Sequence, residues 1–125
     1  MKIVFAAALA LSLGACSTLS TVQQVTTATV PASAVIPAAN AFNILKGTAI
    51  NYGRYCITNA MPEPVCSASN RRLVVKFVRS GTGARNQLQA SLTNGTPAAA
   101  SVYNILVAAI QGLQATPATQ FAGVQ

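Results

Sequence analysis
The chain is 125 residues long, carries eight lysines and arginines against one acidic residue, and contains neither histidine nor tryptophan. This length suits one domain rather than two, and its apolar half leans on alanine, so the core is thin and a covalent staple adds useful stability. Without histidine, and with Glu63 as the single carboxylate, Ser-His and Cys-His nucleophile pairs, two-carboxylate glycosidases and carboxylate metal cages are excluded.

The chain starts with MKIVFAAALALSLGACS, which has the layout of an export signal. Lys2 is the positive n-region, Ile3 to Leu13 form an apolar run, and the small residues Gly14, Ala15 and Cys16 follow. The run is well short of the roughly twenty apolar residues that span a bilayer. Leu13-Gly14-Ala15-Cys16 resembles the lipobox of bacterial lipoproteins, a likeness confined to the signal region. The resemblance implies that residues 1–15 are removed and that Cys16 becomes the acylated first residue of the mature chain. Several acyl chains then hold the protein on a membrane, each buried methylene contributing about 0.8 kcal/mol. Ser17 stands where an aspartate retains such proteins at the inner membrane of enteric bacteria. The same resemblance therefore implies the periplasmic face of the outer membrane. The alternative is ordinary cleavage after Ser17, with Ala15 and Ser17 as the small residues, which yields a soluble secreted binding protein.

The cysteine count follows from that resemblance. Three cysteines are an odd number for an exported chain. If Cys16 carries lipid, Cys56 and Cys66 are left as a pair in an oxidising compartment. Closing the short loop between them stabilises the fold by about 3 kcal/mol on the chain-entropy model. A metal or redox role is disfavoured, because no histidine completes a zinc site and the spacing is far from CxxC.

Residues 16–37 are rich in serine, threonine and alanine, carry no charge and include Pro31 and Pro37, the composition of a flexible tether. TVQQVTTATV allows a short strand, though without an obvious partner. From Ala38 the apolar residues Phe42, Leu45, Ala49, Tyr52 and Cys56 recur in steps of four and three, which predicts an amphipathic helix with Cys56 on its buried side. A second helix is predicted from the cap residues Ser67–Asn70 to Leu92. Leu73, Phe77, Gly81, Ala84, Leu88 and Ser91 share one face, flanked by Val74, Val78 and Leu92. The rival reading makes LVVKFVR a strand and Gly81-Thr82-Gly83 a turn. Asn94-Gly95 stops this element, and Thr96-Pro97 is read as the N-cap and first residue of a third helix. That helix buries Ala99, Val102, Leu106, Ala109, Ile110 and Leu113 and ends at Thr116-Pro117. It is nearly uncharged, and insertion into a membrane is the rival to a buried bundle helix. The expected fold is all-α: a small three-helix bundle over residues 38–116, its first hairpin stapled by Cys56–Cys66, with a frayed tail at 117–125.

No catalytic motif emerges and no cofactor is expected. GTGARN has two glycines of a phosphate loop but lacks the third glycine and the following lysine. The concentrated chemical feature is cationic: Arg71, Arg72, Lys76, Arg79 and Arg85. On a helix, Arg72, Lys76 and Arg79 form a stripe with no acidic residues at i+4 to neutralise it. Such a stripe either serves as a solvated face or contacts anionic envelope polymers or lipid headgroups. Nucleic acid is the weaker partner for an exported, tethered chain without interleaved aromatics. The expectation is a non-enzymatic envelope lipoprotein with a structural or interaction role, a phage-encoded lysis lipoprotein being an analogy of the same kind.

Overall fold
The computed structural model describes residues 28–58 and 64–121. The export signal, Cys16 and residues 16–27 of the expected tether lie outside them. The order of elements is a two-residue strand β1 (Thr29–Val30), helix α1 (Ala32–Thr58), helix α2 (Ala68–Asn94), a two-residue strand β2 (Ala98–Ala99), helix α3 (Ala100–Gln114) and a 3-10 helix (Pro117–Phe121). The architecture is a three-helix bundle, with the Cys56–Cys66 disulfide across the α1–α2 connection and its Cα atoms 5.5 Å apart.

Helix α1 begins six residues before the Ala38 at which the sequence pattern starts it. The Pro31 carbonyl accepts from the amides of Ala34 and Val35 at 3.0 and 3.2 Å, which satisfies two of the donors that a helix start leaves open. Pro37 lies inside α1 and forfeits one i→i−4 hydrogen bond there, yet the helix passes through it. Burial of Val35 and Ala38 explains the tolerance, because the apolar stripe already runs through this turn. Residues 28–37 therefore belong to the fold rather than to a tether. β1 also has a partner: Thr29 faces Ala99 and Val30 faces Ala98 in an antiparallel pair.

That pairing displaces the start of α3. Thr96-Pro97 does not cap it; Ala98 and Ala99 are drawn into β2, and Ala99 occupies the N-cap without a side-chain hydrogen bond. The first amide of the helix, on Ala100, instead donates to the Ala28 carbonyl at 3.0 Å. The preceding stop is as expected. Gly95 adopts φ 65°, which favours glycine, and the amides of Gly95 and Thr96 return to the carbonyls of Leu92 and Ser91.

Helix α2 is continuous through Gly81-Thr82-Gly83, so the strand-and-turn alternative is excluded. Its buried residues are Val74, Gly81, Ala84 and Leu88, while Leu73 is turned outward. The reason for Gly81 is contact. A Cβ there would lie 2.6 Å from Phe42 Cζ on α1 and 2.9 Å from Ala109 Cβ on α3, so all three helices converge where one residue lacks a side chain. Gly112 does the same for the Phe77 ring, which rests on α3. The α2–α3 contact is the most extensive of the helix pairs.

The described segment after α3 is also structured. After α3 stops, the Thr116 hydroxyl donates to the Leu113 carbonyl at 2.7 Å, and Pro117–Phe121 wind into the 3-10 helix. Phe121 meets Tyr52 edge-on at 5.6 Å and Tyr55 at 4.9 Å between ring centroids. Residues 117–121 of the expected frayed tail thus pack against α1. Tyr52, in turn, donates to the Val65 carbonyl at 2.6 Å, tying α1 to the segment beside Cys66.

Candidate anionic-surface site
The start of α2 sets the position of its basic residues. The Ser67 hydroxyl accepts from the Asn70 amide at 3.2 Å, and the Asn70 side chain donates to the Pro64 carbonyl at 2.9 Å. This is N-capping of an ordinary kind, and the disulfide at Cys66 fixes the residue just before the cap. Arg71 then donates from Nε to the Cys66 carbonyl at 3.1 Å, which anchors its guanidinium next to the staple.

Arg71, Arg72, Lys76 and Arg79 are all exposed, and with Val75 and Ser80 they line one shallow surface depression. The Lys76 ammonium lies 5.8 Å from the centroid of the Phe77 ring, within the range of cation–π attraction. Among the described residues there is no carboxylate side chain, since Glu63 lies outside them. The patch is therefore not offset by acidic side chains within the described fold.

Arg85 does not belong to this patch. It comes six residues after Arg79, about 240° further around the helix at 3.6 residues per turn. Its side chain is half-buried, Nη1 donates to the Asn86 Oδ1 at 3.2 Å, and Nε is buried without a hydrogen-bond partner among the described residues. The structure thus assembles four of the five sequence-identified cations and sets the fifth apart.

What the sequence pattern left out is the apolar border of the patch on α1. Ile50, Gly53 and Ile57 face α2 across a groove of which Arg71, Val75 and Arg79 form the opposite side. The signal was present: Ile36, Ile50 and Ile57 fall on heptad spacing away from the buried stripe, where isoleucine has no core to enter. Among the described residues no helix is long and apolar enough to cross a membrane, and α3 buries Tyr103, Leu106, Val107, Ile110 and Leu113 in the bundle. No cluster of three or more potential metal ligands occurs among the described residues. The chain matches no protein-family model, no curated protein sequence and no solved structure.

Proposed function
We propose that this protein is a small non-enzymatic lipoprotein of the bacterial cell envelope, held by acylated Cys16, whose α2 face engages anionic envelope molecules. The observation that carries the reading is the exposed cluster of Arg71, Arg72, Lys76 and Arg79, with no acidic side chain among the described residues to offset it. A solvated face kept only for solubility needs charge but no clustering. Four cations within three turns of one helix create a local field that attracts phosphate and carboxylate groups, each contributing about 1 kcal/mol near an anionic surface. Arginines dominate the set, and their planar forks match phosphate oxygens in pairs.

Two measurements test the reading. Mass spectrometry of the exported chain identifies its first residue: an acylated Cys16 supports the anchor, and an unmodified terminus at Thr18 or beyond refutes it. Co-sedimentation of the mature chain from residue 16 carrying Cys16→Ser, which lacks both the apolar signal and its own acyl chains, with anionic and neutral vesicles tests the face. Binding confined to the anionic vesicles and reduced in Arg72→Ala/Lys76→Ala/Arg79→Ala supports the role. Equal behaviour of the two proteins refutes it.

A further inference from the structure
The side of the cationic patch that faces α1 is not polar. A groove of about 410 Å³ runs between α1 and α2, within the size range of small-molecule sites. Its α1 wall carries Ile50 and Ile57, which are 46% and 83% exposed, and its α2 wall carries Val75, 48% exposed. Arg71 and Arg79 stand on the α2 rim about one turn to either side of Val75. Gly53 lies between the two isoleucines, and a Cβ added there would meet nothing within 4 Å, so the missing side chain leaves the groove open.

We infer that this groove binds the alkyl chain of an anionic single-chain lipid. The chain lies along Ile50, Ile57 and Val75, and the charged head is held by Arg71, with Arg79 adding positive charge farther along the rim. The inference deepens the proposed anion-binding role of α2 and rests on it.

Both halves of the ligand are needed to satisfy the site. Exposed isoleucines gain by leaving water, and a guanidinium rim gains from a phosphate or carboxylate. Charge also selects against other occupants. A second copy of this chain, at a formal net charge of +7, would bring like charges to the rim. A segment of the same chain has only Glu63 to offer two guanidiniums. The hydrogen bond from Arg71 Nε to the Cys66 carbonyl holds that side chain at the groove rather than leaving it to swing in solvent. This lowers the ordering cost of capturing a head group.

The test is calorimetric titration of the mature chain from residue 16, carrying Cys16→Ser, with dodecyl phosphate below its micellar concentration, with dodecanol as the neutral control. The wild-type pocket is expected to bind one dodecyl phosphate saturably and dodecanol more weakly. Gly53→Leu fills the groove without touching any charge. Its backbone does not have positive φ and the added Cβ enters open space, so the variant is expected to fold with an unchanged or raised melting temperature. It is expected to lose affinity for dodecyl phosphate by more than about tenfold. Arg71→Ala is expected to lose about tenfold, the scale of one charge-assisted hydrogen bond, and Arg79→Ala less than that.

Folded Gly53→Leu binding dodecyl phosphate as tightly as wild type overturns the inference. Concentration-dependent dimerisation that Gly53→Leu abolishes, without dodecyl phosphate binding, overturns it in favour of a second copy. Binding of an acidic amphipathic peptide but not of dodecyl phosphate overturns it in favour of a protein partner. If anionic vesicles are bound but dodecyl phosphate is not, the groove inference falls alone. If dodecyl phosphate is bound through the groove but vesicles are not, the groove stands and the surface role of α2 falls.

Discussion

Two glycines one turn-fraction apart on α2 make a matched experiment. Gly81 and Gly83 both sit in the helix interior, where replacement by alanine relieves an intrinsic penalty of about 0.8–1.0 kcal/mol. They differ in surroundings. A Cβ at Gly83 meets nothing within 4 Å, whereas one at Gly81 lies 2.6 Å from Phe42 Cζ and 2.9 Å from Ala109 Cβ. The Phe42 ring is itself fully buried, so it has little room to retreat. Forcing a methyl into such packing costs about 1–3 kcal/mol, and a rigid aromatic neighbour places this site toward the upper end. Gly83→Ala is therefore expected to stabilise the domain by up to about 1 kcal/mol, and Gly81→Ala to destabilise it by about 1–2 kcal/mol net. For a domain of this size each kcal/mol moves the melting temperature by about 4–8 °C. Thermal and urea unfolding followed by far-ultraviolet circular dichroism reads both. Equal stabilisation by the two alanines would refute the three-helix convergence at Gly81 and revive a turn at Gly81-Thr82-Gly83.

Other outcomes follow from the same structure. Cys56→Ser/Cys66→Ser should lose about 3 kcal/mol in urea unfolding, and reductant should have the same effect on the wild type and none on the double variant. Phe121→Ala removes two ring contacts and should cost about 1–3 kcal/mol, whereas a frayed tail would make the substitution silent. Burial raises the Tyr103 phenol above its ordinary value of 10.0. The neutral form is thus favoured in the folded state, so this contribution is intact below about pH 10 and is lost as pH rises above it. Unfolding free energies at pH 8 and 10.5 should therefore fall more for wild type than for Tyr103→Phe.

Much of the bundle was legible because local periodicity carries it. The step pattern from Ala38 to Cys56 names one face of α1, and Cys56 lies buried on it as the pattern requires. The same pattern extends back to Val35, but Pro31 and Pro37 mask it, since composition cannot tell a proline in the second turn from one in a tether. On α2 the spacing starts the stripe at Leu73, whereas Val74 is buried and Leu73 is exposed. Contacts between distant segments left no local trace. Nothing in the last residues announces that Phe121 meets Tyr52 and Tyr55, or that Thr29–Val30 pairs with Ala98–Ala99. The cationic set was legible as a list and not as a place. Arg72, Lys76 and Arg79 keep helical spacing, while Arg85 breaks it and leaves the patch. The α1 isoleucines beside the patch were visible in the sequence, but only the packing of α1 against α2 turns them into a groove.

Vesicle co-sedimentation of the mature chain from residue 16, carrying Cys16→Ser, tests the role of the α2 face most directly. Three charges near an anionic surface amount to about 3 kcal/mol, so Arg72→Ala/Lys76→Ala/Arg79→Ala should weaken binding to phosphatidylglycerol-containing vesicles by about a hundredfold. Its stability should fall by no more than about 0.5–1 kcal/mol, the loss of the Lys76–Phe77 contact, because all three side chains are exposed. The Cys16→Ser chain with α2 unchanged should leave neutral phosphatidylcholine vesicles unbound and should release the anionic ones as salt rises toward 1 M. Identical partitioning of the Cys16→Ser chain with and without the three α2 substitutions onto anionic vesicles would contradict an anion-binding role for α2.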